Sequence, residues 1–591
     1  MNRLVNLRLP TRLSRLVSSG TQFLSIALAL LSLSAFTHAA VLTGQVKSQQ
    51  GEKMSGVLIR VTDEANGVSE SVYTDPEGVY KLVTRLEGTL KVRARTPYFR
   101  DAHTTVELGG SATTSENIVM QPMTDEQEIS DSLPAAYHFY ALPFEEGDDK
   151  DFNAYQFQRD CLSCHQMGNP FTRIPRTAES WAVTIQRMHR MVGNFDEKLR
   201  DRRSEILAAG FDGKPIKARP EFPIHAELQS AKIYEYMLDR AFVPHDSIVH
   251  PTNGLIYTVD QALDHMVVTD PISGQSQYVV QSDGDANKYH KDVPKKQVIG
   301  EFDPGTRHGP HSLDLGKDGK YYVTNTGTHS IGVFDPQTNT WEPSHMIPRE
   351  EKAYYPHTIR VDSKGYAWFT LAASEKVGRL LPDNGSFDIV SLPEVEPDGI
   401  SGGTQPYGID ISPVDDRMWY GRLFADKIGT VDAETLEVTE YDSPIRGPRR
   451  MRFDKEGILW VSGYSEGQLA RIDVSDGFEA TVYDMPEFAE GARPAPYALG
   501  VHPIHQDIWL NENMTDRIYR FIPKEERWVV YPVPLSGTYT RDMTFMADGQ
   551  VCLSNNPIPP PALEGGTLEI ICLDPDYNPE TEDQQLAVSQ R

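Results

Sequence analysis

At 591 residues the chain is too long for one ordinary hydrophobic core and long enough for several domains. Its 57 basic and 84 acidic side chains leave a formal charge of −27, which speaks against nucleic acid and anionic lipid as partners. A composition of 39% hydrophobic and 24% charged residues describes soluble globular material.

The N-terminus reads as a signal peptide over residues 1–39. Arg3, Arg8, Arg12 and Arg15 form a basic region, 23–36 is an apolar stretch too short to span a bilayer comfortably, and Ala39 closes a small-residue cleavage site. Its removal takes away four arginines and no acid, so the mature chain is more acidic still. The expected location is the periplasm or another exported compartment, with no membrane span left after cleavage.

Residues 41–121 alternate apolar and polar side chains in short runs broken by turn signals, as expected of a β-sandwich. The segments Gly44-Gln-Val46, Gly56-Val57 and Thr74-Asp75-Pro-Glu-Gly78-Val-Tyr80 resemble the carboxypeptidase regulatory-like domain. That resemblance implies an immunoglobulin-like sandwich serving as a spacer or an interaction module, and no chemistry. Residues 122–150 are acidic and polar and read as a linker, with ordered contacts around 137–143.

Residues 151–243 change character. A helix is expected from Ala178 to Met191 with Trp181, Ile185, Met188 and Val192 on one face, and a second helix from Leu228 to Phe242. Ahead of them stands Cys161-Leu-Ser-Cys164-His165, a C-x-x-C-H motif. In an exported chain this spacing predicts one covalent haem c, with both thiols added across the porphyrin vinyl groups and His165 as the proximal iron ligand. Trp181, the pair Arg187-Met188, Gly193 and residues 234–238 resemble a c-type cytochrome family. The resemblance implies a small α-helical cytochrome c domain with Met188 as the distal iron ligand. Met191 and His189 lie within one turn and remain open as alternatives. The insertion at 200–223 departs from the family's pattern.

From 244 to 577 the sequence repeats. The repeats open at His245, His311, His357, Tyr407, Arg449, Tyr497 and Arg541, all but the last preceded by proline, and an aromatic second strand follows in most of them. Their spacing, 42 to 66 residues, predicts a seven-bladed β-propeller. The fold class is therefore multidomain and mainly β: N-terminal sandwich, helical cytochrome domain, C-terminal propeller and a tail over 578–591. The blades resemble the virginiamycin B lyase (streptogramin lyase) propeller family. In that family two such histidines work with an acidic neighbour and magnesium, and His311 and His357 are the matching positions. Gly309 and Tyr355 stand two residues before them, where the acid is expected.

Because each repeat-opening residue begins an innermost strand, all seven are expected to face the central channel. His311, His357, Tyr407, Arg449, Tyr497 and Arg541 are the candidate catalytic set, able to take an anion, a polar substrate or an additional axial metal of unknown identity. The long inserts 282–309, 394–405 and 487–494 are expected on the same face. Cys552 and Cys572 are expected to pair on adjacent strands of the last blade.

The leading functional reading is a periplasmic haem oxidoreductase whose propeller binds a small molecule, with electrons passed through the haem to a periplasmic carrier protein. A streptogramin-lyase-like C–O lyase with an appended cytochrome is the first alternative. A non-enzymatic electron-transfer or binding scaffold is the second.

Overall fold

The computed structural model describes residues 39–110, 112–144, 154–281, 307–398 and 401–582. The expected signal peptide, most of the 282–309 insert and the end of the C-terminal tail lie outside them. Among the described residues no helix is long and apolar enough to cross a membrane.

The N-terminal domain packs two sheets around a core that includes Leu42, Ile59, Val61, Leu82 and Val92. Strand Ala40–Ser48 buries every second residue, as expected of a strand with one face on the core. It lies between Val79–Thr84 and Ile118–Pro122. The second sheet runs Val68–Tyr73, Leu58–Asp63, Gly88–Arg95, Ala102–Leu108.

Six four-stranded antiparallel sheets follow one another as blades one to six, from Pro244–Val249 to Arg527–Pro532. The seventh blade is assembled from both ends of the propeller. Its three inner strands are Thr540–Phe545, Val551–Asn555 and Glu569–Asp574, and its fourth is Lys232–Met237, far earlier in the chain. That closing strand pairs on its other edge with Val68–Tyr73, so blade seven and the second sandwich sheet form one continuous eight-stranded sheet. The helix expected over 228–242 is thus corrected to a 3-10 turn at Ala226–Ser230 and a strand. The propeller accordingly starts before 244. Cys552 and Cys572 face each other in directly paired strands and are joined by a disulfide.

The intervening segment contains five helices among the described residues: α1 (Glu126–Ser132), α2 (Ala135–Tyr140), α3 (Ala154–Leu162), α4 (Ala178–Met191) and α5 (Glu197–Gly210). Asp125 and Thr177 cap α1 and α4 by accepting a backbone N–H three residues on, and Asp196 caps α5 in the same way. The stretch expected to be a linker is largely α1 and α2, whose Tyr137 and Phe139 are buried. The segment packs on the propeller through one apolar cluster. Phe139, Phe157, Leu162 and Trp181 meet Tyr407, Phe424, Tyr464, Phe488 and Met514 of the blades. The buried face of α4 is Trp181, Ile185 and His189. Met188, expected on that face, is only partly buried, so the core-facing stripe is turned by one residue. The start of the expected tail is also packed: just before it Tyr577 accepts from the Val83 N–H, and within it Glu582 pairs with Lys232 at 2.8 Å.

Candidate functional site at the propeller axis

Each inner strand begins with a proline or, in blade seven, a threonine that pairs with the end of the second strand. Immediately afterwards the register shifts in all seven blades. Proline is tolerated at a strand's first position, and a bulge beside it re-aims the next side chain. Here it aims seven side chains at the axis. His245, His311, His357, Tyr407, Arg449, Tyr497 and Arg541 are all buried.

These residues touch in sequence around the channel. The imidazole centroids of His245 and His311 are 3.7 Å apart, those of His311 and His357 4.1 Å, and His357 lies 3.9 Å from the Tyr407 ring. Tyr407 accepts from Arg449 Nη2 at 2.7 Å, and its hydroxyl is 3.4 Å from that of Tyr497, which accepts from Arg541 Nη1 at 3.1 Å. Side chains on the second strands latch the ring between blades: Thr324 donates to the His357 carbonyl at 2.7 Å, Thr370 to that of Tyr407 at 2.8 Å, Asn511 to that of Arg541 at 2.6 Å, and Ser554 to that of His245.

A second layer of charge lies beside this ring, and sequence reasoning missed it. Asp246 pairs with Arg450 at 3.2 Å, and Asp542 takes Arg452 at 2.7 Å and Arg360 at 2.8 Å. The signal was available, because Asp246, Arg450 and Asp542 each follow a ring residue directly. Burial works against ionisation of Asp246, but Arg450 and His245 overcome it and hold the carboxyl well below its usual range. Burial, reinforced by Arg541, pulls the His245 imidazole down to about 4. His311 is pushed well down by burial and then by the adjoining His245 and His357, and His357 by burial and then by Arg450, so all three are neutral near pH 7. Burial would raise Tyr497, but Arg541, Arg449 and Arg450 outweigh it and bring the phenol to about 8. Donor atoms of His245, Asp246 and His311 lie within 4.8 Å of one another, a spacing that could hold a metal ion.

The mouth of the ring is covered by the C-x-x-C-H segment. Helix α3 ends at Leu162, whose carbonyl accepts from both Tyr464 and Tyr539 at 2.6 Å. The Ser163 carbonyl accepts from Arg449 Nη2 at 3.1 Å, and Gln166 Nε2 donates to the Thr538 carbonyl at 3.2 Å. Cys161 is partly buried, Cys164 is exposed, and both are free thiols. The Cys164 thiol lies close enough to Tyr355 to influence its ionisation, and Arg541 and Arg187 act likewise on His165. His165 Nδ1 is 3.1 Å from the Gln166 carbonyl, which leaves Nε2 for another partner. Nearby, Trp181 Nε1 and Gln166 Oε1 are buried without a hydrogen bond among the described residues. His189, buried toward α5, is pulled down to about 4 by burial and by Arg203.

Comparison with known proteins supports the two β domains. Residues 41–121 match the carboxypeptidase regulatory-like domain, and residues 299–495 match the virginiamycin B lyase family. The second span contains His311, His357, Tyr407 and Arg449; neither span reaches Cys161. A probable peptidyl-alpha-hydroxyglycine alpha-amidating lyase of Caenorhabditis elegans is 32% identical over 77 residues, which is 12% of this chain and 22% of that protein. The chain thus spans about a fifth of that relative's length. Among solved structures, virginiamycin B lyase from Staphylococcus aureus superposes at a TM-score of 0.45 and 18% identity, over 58% of this chain and 99% of that one. A streptogramin B lyase gives 0.46 and 19%, over 58% and 97%. The chain therefore carries an N-terminal carboxypeptidase regulatory-like domain and a propeller whose residues 299–495 are similar to the virginiamycin B lyase family.

Proposed function

We propose that this chain is an exported c-type haem protein in which a lyase-type propeller serves as the seat for a redox segment. One observation carries the reading: the C-x-x-C-H segment is fastened over the axial ring by Tyr464, Tyr539 and Arg449. The residues suit the group. Cys161 and Cys164 are unpaired thiols three residues apart at the end of a helix. His165 has Nδ1 engaged with a backbone carbonyl and Nε2 left for iron, the usual arrangement of a metal-bound histidine. Cys161 and Cys164 would hold the porphyrin, His165 the proximal side of the iron and Met188 the distal side. When bound, the haem supplies one-electron exchange. The ring residues would bind and orient a small polar molecule below the segment, and Tyr464 and Tyr539 would keep the segment in place. The acidic surface would suit a basic electron carrier.

A second reading has the axial ring perform a lyase reaction, with His311 and His357 as its proton-handling pair. The match of residues 299–495 to the virginiamycin B lyase family favours it. Gly309 and Tyr355, at the places of the expected acid, weigh against a magnesium-dependent elimination.

The deciding experiment is production of the full chain with haem-maturation machinery. Acid–acetone extraction should leave colour on the polypeptide, and intact mass should show one haem, absent from Cys161→Ala/Cys164→Ala. A colourless protein that opens a streptogramin B ring, and loses that activity in His311→Ala, would establish the second reading.

A further inference from the structure

Two arginines at the channel mouth lack the counter-ions that their neighbours have. Arg450, Arg452 and Arg360 share Asp246 and Asp542. Arg449 and Arg541 are 0% and 4% exposed, and among the described residues neither pairs with a carboxylate. Arg449 is enclosed by the rings of Tyr407, Tyr464 and Tyr497, at 4.6, 4.2 and 4.1 Å from their centroids. Its Nη2 serves Ser163 and Tyr407, while Nε and Nη1 have no hydrogen-bond partner among the described residues. Arg541 donates from Nε to Asn556 at 2.6 Å and from Nη1 to Tyr497 at 3.1 Å, and lies 5.2 Å from the centroid of that ring. Tyr497 thus lies against both cations.

Burying a guanidinium without an anion is costly, because no Coulomb attraction offsets its desolvation and the surrounding ring faces return only part of it. What Arg449 still offers an incoming group is the in-plane N–H of Nε and Nη1. A carboxylate oxygen can accept from one of these and leave its second oxygen for Arg541.

We propose that the channel mouth binds one carboxylate group between Arg449 and Arg541, beneath the Leu162–Ser163 carbonyls. The carboxylate has two sources of the same chemistry: a propionate of the proposed haem, or a free small carboxylic acid. Only the first rests on the haem reading; the unpaired charge of the two arginines is there in either case.

The test uses the full chain in two forms, wild type matured with haem and haem-free Cys161→Ala/Cys164→Ala. Thermal unfolding is followed while sodium acetate replaces sodium chloride at constant ionic strength. The expected result is an acetate-specific rise in Tm on the order of 2 °C in at least one form, lost when Arg541→Gln is added. A rise in both forms identifies a free carboxylate as the occupant; a rise in the haem-free form alone identifies the propionate. No rise in either form overturns the proposal. Should the double variant not fold and the wild type not respond, Arg541→Gln is compared with wild type by haem midpoint potential. Loss of a cation beside a propionate should lower it, and an unchanged potential overturns the proposal. The visible spectrum reports haem separately, so failure of the haem reading is distinguishable from failure of the carboxylate site.

Discussion

Arg449 Nη2 donates to the carbonyl of Ser163 across 3.1 Å, joining the fifth blade to the residue between Leu162 and Cys164. One guanidinium therefore belongs both to the axial ring and to the segment that covers it. Movement of either is felt by the other.

The same coupling is testable without touching the charge. Tyr464→Phe and Tyr539→Phe each remove one donor from the Leu162 carbonyl. Each should cost about 1 kcal/mol of stability. The double variant should show faster amide hydrogen exchange over 161–166, measured by mass spectrometry, while the outer blade strands exchange at wild-type rates. Unchanged exchange would mean that the segment is held by apolar packing alone.

In the haem-loaded protein Met188 is expected to be the distal ligand. The ferric form should show a weak near-infrared sulfur-to-iron band that Met188→Ala abolishes and Met191→Ala preserves. His189 is neutral and buried toward α5, so His189→Ala should leave the band in place. Loss of the band in Met191→Ala would move the assignment to that residue.

The axial imidazoles are in contact, so replacing one of them should cost stability as well as function. His357 meets His311 and Tyr407 at 4.1 and 3.9 Å. Its replacement by alanine should lower stability by about 1–3 kcal/mol alongside any loss of ligand response. Denaturant unfolding of His357→Ala measures the first effect, and full wild-type stability would show that the ring has slack to fill.

Acid should loosen the junction between sandwich and propeller. Glu564, in the turn before the last blade strand, pairs with Arg93 and Arg95 of the sandwich at 2.5 Å. Burial would raise its pKa, but the two arginines and the Ser536 N–H bring it down to about 2. A carboxyl depressed in the folded state contributes stability that is present above its unfolded pKa and lost as pH falls through the folded one. The loss should fall between about pH 4.5 and the folded value near 2. Glu564→Gln should be less stable at pH 7 and flatter across that window, as read by Tm against pH.

Cys552→Ala/Cys572→Ala opens a covalent loop with a sequence separation of 20 in the blade that closes the ring. A loss of about 3 kcal/mol is expected from loop entropy. Equal denaturant midpoints for the variant and wild type would show that the strand pairing alone holds the blade.

The propeller was legible because six of the seven blades open on a proline and carry an aromatic residue in the second strand, a pattern that recurs at blade length. The axial residues followed from the same regularity. The strand Lys232–Met237 was not legible. Ile233, Tyr236 and Met237 fall at helical spacing, and a strand buried on both faces loses the alternation that would identify it. Its partner, Glu569–Asp574, lies at the other end of the propeller, beyond any local window. On α4 the error was one of phase. His189 occupies the core-facing place that an apolar count gave to Met188. The charged layer of Asp246, Arg450 and Asp542 was signalled only by its places beside ring residues, because which members pair is decided when the ring closes.

The shared eight-stranded sheet sets an order of events during synthesis. The sandwich and strand Lys232–Met237 can pair as soon as they emerge, which leaves one hydrogen-bonding edge of that strand bare until Glu569–Asp574 arrives. A bare edge invites pairing with another nascent chain. Lys232 and Glu235, charged residues on the strand itself, would deter such pairing during the wait and afterwards find Glu582 and Arg60. A chain that stops short of residue 569 would keep its sandwich and lose its ring, with an adhesive strand left exposed.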